Sequence, residues 1–103
     1  MAEEDKALSR AKDIVLRKLA PYPVRVILFG SYARQESHAL SDIDVAVEPL
    51  GPLPRRVLAE LREALDESTV PRNVEIVDLR DADAEFRRRV HEEGVVWSGS
   101  DNG

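Results

Sequence analysis

The chain contains no cysteine, and this absence removes several kinds of chemistry. Without thiols it can form no disulfide, bind no metal through sulfur and use no thiol as a nucleophile. Histidine is almost as scarce, and neither His38 nor His91 has a partner at the spacing of a metal site, so we expect both to be solvated. Carboxylates are left as the candidate metal ligands.

An excess of positive charge is also missing. The sequence has 15 Lys and Arg against 20 Asp and Glu, a formal net charge of −5. Binding nucleic acid through its phosphates requires a basic surface, so we do not expect nucleic acid as a main ligand. The basic clusters Arg55-Arg56 and Arg87-Arg88-Arg89 fall on predicted helices, and we interpret them as solvated faces.

Long apolar runs are absent too. No stretch approaches the roughly 20 residues of a membrane-spanning helix, and the charged start over residues 1–12 is not typical of a signal peptide. We therefore expect a cytoplasmic protein with no membrane partner. A chain of 103 residues is long enough for one core; we expect one domain over residues 1–97 and a disordered tail over residues 98–103.

Hydrophobic periodicity divides the chain into alternating helices and strands. Helices are predicted over about residues 4–20, 31–37 and 54–67, and from a cap at Asp81 or Asp83 to Glu93. Strands are predicted over about residues 24–29, 42–48, 72–79 and 95–97, with Trp97 packing on the sheet edge.

The most informative stretch is Gly30-Ser31, followed after ten residues by Asp42-Ile43-Asp44. Two carboxylates at positions i and i+2 of a strand point to the same face and offer the oxygen ligands that Mg²⁺ prefers. A glycine and a serine at a strand-to-helix turn present backbone N–H groups and a hydroxyl to an anion. Metal carboxylates beside a phosphate cradle favour nucleotide chemistry.

The positions of Gly30 and Asp42 also constrain the fold. Gly30 closes one predicted strand and Asp42 opens the next, so both face one site only if these strands run antiparallel. The prediction is a single domain of the α/β (α+β) class, in which a mixed sheet is packed by helices.

A third carboxylate is expected on the third strand, which offers Glu75 and Asp78. Val74 and Ile76 should continue the apolar face that Ile43, Val45 and Val47 form on the second strand. Strand alternation then places Glu75 on the face of Asp42 and Asp44, and Asp78 on the apolar side. Glu75 is therefore the preferred candidate and Asp78 the alternative.

The residues quoted above resemble the signature of the DNA polymerase β-like nucleotidyltransferase superfamily. The fuller pattern, with Ala33-Arg34 after the Gly-Ser and Ser41 before the first aspartate, is similar to its smallest branch. This branch comprises the minimal nucleotidyltransferases (MNT), which are often antitoxins beside HEPN-domain proteins. The resemblance covers residues 23–97 and implies the nucleotidyltransferase-like fold.

The resemblance also implies roles for particular residues. Asp42, Asp44 and Glu75 would be the catalytic and metal residues of a two-metal Mg²⁺ site, with Glu75 helping to activate the acceptor hydroxyl. Gly30 and Ser31 would hold the β- and γ-phosphates of ATP, and Arg34 would reach the triphosphate. The implied reaction is transfer of AMP from ATP to a hydroxyl acceptor, on a HEPN-type toxin as partner.

Two departures from the family pattern keep an alternative open. Gln35 stands where a glycine is common, and Glu75 stands where the family usually has aspartate. The alternative is a catalytically weak or inactive module that neutralises a partner by binding alone. A small-molecule transferase, such as one acting on aminoglycosides, and a plain metal-binding or structural protein are further interpretations that the pattern supports less well.

Overall fold

The structure is a computed structural model that describes residues 6–30 and 42–98. Its elements in chain order are α1 (Lys6–Leu19), β1 (Val24–Phe29), β2 (Ile43–Pro49), α2 (Arg55–Asp66), β3 (Val74–Asp78), a 3-10 helix (Leu79–Asp81), α3 (Ala84–Glu93) and β4 (Val95–Ser98). The short helix predicted over residues 31–37 and the tail after Ser98 lie outside the described residues. None of the helices described is long and apolar enough to cross a membrane.

The four strands form one mixed sheet in the order β3-β2-β1-β4. β1 runs antiparallel to both β2 and β4, whereas β2 and β3 are parallel. The parallel pair needs a crossover connection, which α2 provides. The predicted mixed sheet and the antiparallel arrangement of β1 and β2 are therefore confirmed.

One face of the sheet carries the main hydrophobic core. It packs against α1 and α2, whose apolar stripes repeat at helical spacing. Its buried residues from the sheet alternate along the strands: Val24, Val26, Leu28, Ile43, Val45, Val47 and Ile76. Trp97 is half-buried against this core, as expected.

The opposite face is covered by α3 and holds a smaller cluster. Ile27, Ala46, Leu79 and Val90 are its buried members, with Phe29, Val77, Ala82 and Phe86 packed against them. Because side chains alternate along a strand, Asp44 shares this face with Ala46, and Glu75 shares it with Val77. The second face is therefore only partly apolar, because it also carries acidic positions on β2 and β3.

The connection between β3 and α3 contains a turn that the sequence pattern did not predict. The strand was expected to continue through Leu79, but it ends at Asp78, whose Oδ1 accepts a hydrogen bond of 2.9 Å from the Arg80 backbone N–H. This contact turns the chain into the 3-10 helix. Asp83, rather than Asp81, caps α3 by accepting from the Phe86 N–H at 2.8 Å.

Asp78 is the centre of a buried ion-pair network. Only 6% of the residue is exposed, and its Oδ2 lies 2.8 Å from Arg80 Nη2 and 3.3 Å from Arg55 Nη1. Arg80 also donates to the Leu53 carbonyl at 2.9 Å, so the network ties the end of β3 to the segment before α2. The hydrogen bond from Arg80 holds the pKa of Asp78 below its ordinary value, and Asp78 in turn raises the pKa of Arg80.

We predict that Asp78→Asn lowers the free energy of unfolding at pH 7 by about 2 kcal/mol, the usual scale for a hydrogen bond to a charged group. Because the pKa of Asp78 is lower in the folded state, the carboxylate stabilises the fold above its unfolded pKa. That contribution is lost as the pH falls through the folded pKa. Urea unfolding of both proteins between about pH 7 and pH 3 measures the difference, which should shrink on acidification.

Asp13→Asn is the control for this prediction. Asp13 pairs with Arg17 on the exposed surface of α1 at 3.3 Å, where an ion pair contributes little. We expect its effect at pH 7 to be no more than about 0.5 kcal/mol. A difference between wild type and Asp78→Asn that stays constant with pH would contradict the account of the buried pair.

Candidate functional site

Two carboxylates lie side by side where β2 and β3 begin. Asp44 is paired directly with Glu75 across the parallel strands, and with Phe29 on the antiparallel side. Directly paired residues present their side chains to the same face of a sheet. The structure therefore brings Asp44, Glu75 and the end of β1 together on the α3 face, with Asp44 half-buried and Glu75 exposed.

Gly30 follows β1 immediately and is shaped by its contact with Asp44. Its φ is +79°, in the left-handed region where a side chain is strained. A Cβ atom at this position would lie 2.2 Å from Oδ2 of Asp44, well inside contact distance. Only glycine lets the carboxylate of Asp44 rest against the backbone that ends β1.

Asp42 lies immediately before β2 and is exposed. The next residue is fixed, because the Ile43 N–H donates to the Asn73 carbonyl at 2.9 Å and so aligns the start of β2 with the start of β3. Continuing the alternation of β2 backward places Asp42 on the side of Asp44. Ser31 and Arg34, the other predicted nucleotide-binding residues, lie outside the described residues.

The carboxylates fit Mg²⁺ in the nature of their ligand atoms and in the face that they share. All are hard oxygen donors, and Asp44 and Glu75 come from adjacent strands. Within residues 6–30 and 42–98, however, no three Asp, Glu, His or Cys side chains are grouped closely enough to hold a metal ion between them. The metal role of Asp42, Asp44 and Glu75 therefore stays a prediction.

The alternative third carboxylate, Asp78, is committed elsewhere. Its side chain is buried against Arg80 and Arg55 at the other end of β3, three residues beyond Glu75. An acid that already makes these ion pairs is not available as a ligand beside Asp44. Between the two candidates, Glu75 is the one that the strand register places next to Asp44.

A pocket of about 160 Å³ opens beside Gly30. Its lining residues are Phe29, Gly30, Phe86, Arg89, Val90 and Glu93. The rings of Phe29 and Phe86 meet edge to face, with centroids 5.5 Å apart and planes at 89°. The sequence pattern did not predict a function for α3. The i, i+3, i+4, i+7 spacing of Phe86, Arg89, Val90 and Glu93 is that of one helix face and could have indicated a shared surface.

His91 is exposed, as expected for a solvated side chain, but it also contacts the sheet. Its Nε2 lies 3.1 Å from Oε1 of Glu48, an oxygen that also accepts from Arg25 Nη1 at 3.0 Å. The docking of α3 on the sheet brings His91 to the end of β2 that is remote from Asp44. His38 lies outside the described residues.

The predicted basic clusters are likewise not simply solvated. Arg55 pairs with Asp78 and Asp81, and Arg87 donates to the Ala82 carbonyl. Arg88 remains on the surface, in ion pairs of 3.2 Å with Glu85 and Glu92. These partners come from the tertiary arrangement and from helix spacing, so several arginines of the clusters have structural contacts.

Comparison with protein families gives one match that covers most of the chain. A family model described as polymerase beta, nucleotidyltransferase matches residues 12–102. Comparison with curated proteins gives no significant match.

Several solved structures share the fold. One is a chain of a toxin–antitoxin complex with AMP-PNP, 29% identical over 87% of this chain and 74% of that chain, with a TM-score of 0.69. Another is described as a minimal nucleotidyltransferase, 29% identical over 85% and 90%, with a TM-score of 0.69. A third comes from a complex of tri-AMPylated Shewanella oneidensis HEPN toxin with an MNT antitoxin, 26% identical over 88% and 71%, with a TM-score of 0.62.

The contact between Gly30 and Asp44 gives a prediction. Gly30→Ala should lower the free energy of unfolding by about 1–2 kcal/mol for the left-handed backbone, plus the cost of displacing the Asp44 carboxylate. In an Asp44→Ala background the cost of displacing the carboxylate should disappear, which leaves the backbone part and a contact of 3.2 Å with the Cβ of residue 44. A double-mutant cycle measured by urea unfolding gives the coupling between the two sites. Strictly additive effects would contradict the close contact.

Proposed function

Because this chain belongs to the polymerase beta nucleotidyltransferase family, we propose that it transfers AMP from ATP to a hydroxyl group on a partner protein. One observation supports the assignment most strongly: the register sets Asp44 next to Glu75 on one side and against Gly30 on the other. A metal-bound triphosphate requires carboxylate ligands for the metal and backbone N–H groups for the phosphates, close together on one face of the sheet.

In this proposal the turn at Gly30 receives the β- and γ-phosphates. Because Gly30 has no side chain, no Cβ atom hinders an anion at this turn. Ser31 would add its N–H and hydroxyl, and Arg34 would balance the charge of the departing pyrophosphate. Asp42, Asp44 and Glu75 would hold Mg²⁺, which when bound neutralises phosphate charge and increases the electrophilicity of the α-phosphorus.

The proposed transfer is a displacement at the α-phosphorus of ATP. The acceptor oxygen forms a new bond to the α-phosphorus, the bond from that phosphorus to the α–β bridging oxygen breaks, and the electron pair leaves with pyrophosphate. Glu75, exposed at the edge strand of the sheet, would draw the proton from the acceptor hydroxyl as the new bond forms. An exposed carboxylate at an edge strand is accessible to a large acceptor.

The proposed acceptor is a HEPN-type toxin. Glu75 is exposed at the edge strand of the sheet, where it is accessible to a hydroxyl that a partner protein brings to the site. The match to an MNT antitoxin complex with a tri-AMPylated HEPN toxin supports this choice. Adenylylation of a toxin tyrosine, together with complex formation, would neutralise the partner.

A second candidate function is neutralisation by binding alone. The observation that favours it is Glu75, which carries one more methylene than the aspartate usual in the family. A longer side chain changes where its carboxylate lies relative to Asp44, and the geometry of a Mg²⁺ site is strict. The same fold could then bind a toxin without modifying it.

The test uses the HEPN-domain protein expected from the adjacent reading frame, a small helical protein with an Arg-x4-His motif. With Mg²⁺ and ATP labelled at the α-phosphate, wild type should transfer label to this partner, and the partner should gain the mass of one or more AMP groups. Asp44→Asn should reduce the transfer rate at least about 100-fold, the upper range for loss of a metal-site residue. Asp13→Asn, on the exposed surface of α1, which packs on the opposite face of the sheet, is the control and should transfer normally.

Glu75→Asp separates the two candidate functions. If transfer by wild type is slow because glutamate displaces its carboxylate, the shorter acid should increase the rate. If the site is built around glutamate, the same change should reduce it. A stable complex with the partner and no transfer by either protein would favour neutralisation by binding alone.

A further inference from the structure

Helix α3 carries three consecutive arginines, and only one of them has no partner in the described part of the chain. Arg87 donates to the Ala82 carbonyl at the start of the helix, and Arg88 forms ion pairs with Glu85 and Glu92. Arg89 makes no hydrogen bond or ion pair with the described residues. The contacts among the described residues therefore assign no structural role to the guanidinium of Arg89.

Arg89 is placed on the pocket beside Gly30. It lines this pocket together with Phe29, Phe86 and Val90. Val90 is buried and the two rings are half-buried, so they form an apolar floor, whereas Arg89 and Glu93 are exposed at its rim. The pocket lies on the face that carries Asp44 and Glu75, so Arg89 and Asp44 flank the same glycine.

The negative charge at this end of the sheet opposes the binding of a polyphosphate, and a nearby cation would offset it. The chain has a net charge of −5, and Asp42, Asp44 and Glu75 add negative charge where a polyphosphate would bind. A guanidinium presents several N–H donors in a planar fork that matches phosphate oxygens.

We propose that Arg89 is a further substrate-binding residue that contacts the β- and γ-phosphates of the nucleotide. The inference rests on the proposed function, because it assigns those phosphates to the turn at Gly30. The position of Arg89 favours a contact with phosphate rather than with the base. Arg89 and Gly30 line the same pocket, and this pocket lies at the turn after β1 rather than at the edge strand β3, which carries Glu75. The residue would act by binding the substrate, not by supporting the fold.

The test compares two ligands that differ in their outer phosphates. Isothermal titration calorimetry with Mg²⁺ measures the binding of AMP-PNP and of AMP to wild type and to Arg89→Gln. We expect Arg89→Gln to weaken AMP-PNP binding about tenfold, as for the loss of one charge-assisted contact at a partly exposed site. AMP binding should change less than about twofold, because AMP lacks the outer phosphates.

Arg56→Gln is the matched control. Arg56 is also exposed and without a partner among the described residues, but it lies on α2, which packs on the opposite face of the sheet. This variant should bind both ligands as wild type does. Arg89→Lys, which keeps the charge without the fork, should weaken AMP-PNP binding less than Arg89→Gln does.

The outcomes separate this inference from the function on which it rests. If wild type binds AMP-PNP and Arg89→Gln binds it equally well, the assignment of Arg89 is overturned while the nucleotide site stands. An equal loss for AMP and AMP-PNP would also overturn it, because the contact would then be to the nucleoside or the α-phosphate. If wild type binds neither ligand with Mg²⁺, the proposed function fails and the inference fails with it. The thermal melt of each variant without ligand should match wild type, since Arg89 has no partner to lose among the described residues.

Discussion

The register of β2 between its two neighbours is the constraint on which the site depends. Antiparallel pairing with β1 sets Asp44 opposite Phe29 and beside Gly30, and parallel pairing with β3 sets it next to Glu75. A slip of one residue would turn Asp44 into the main core and expose Ile43 or Val45 on the other face. The apolar residues that fix this register on the α1 and α2 face therefore also position the carboxylates on the opposite face.

The two faces of the sheet thus differ in composition. The face toward α1 and α2 is continuous hydrophobic core, and Asp78, a charged residue buried on this face, is paired with Arg80 and Arg55. The face toward α3 is apolar only in its middle. At one end it carries Asp44 and the pocket at Gly30, and at the other Glu48 binds Arg25 and His91. The sheet therefore separates the polar groups of the second face from the main core.

Sequence patterns were sufficient for features that depend on local periodicity. Alternation along β2 and β3 was enough to place Glu75 on the face of Asp44 and Asp78 on the other face, although the role of Glu75 in the site stays a prediction. The expectation that Gly30 and Asp42 face one site led to the antiparallel direction of β1 and β2. They were not sufficient for contacts that depend on where α3 packs, such as His91 with Glu48 or Arg89 beside Gly30. The turn at Asp78 was missed because the capping of Arg80 by an aspartate side chain competes with strand propensity. Ser31 and Arg34 lie outside the described residues, so their roles stay predictions.

The central claim is that a metal–nucleotide site lies between Gly30, Asp44 and Glu75. Mn²⁺ binds the same oxygen ligands as Mg²⁺ and broadens the NMR signals of nearby nuclei. In a titration of the ¹⁵N-labelled protein with substoichiometric Mn²⁺ and AMP-PNP, the account predicts that the amide signals of Gly30, Asp44 and Glu75 broaden first. Earlier broadening at Asp78 and Asp81, or along α1, would contradict it.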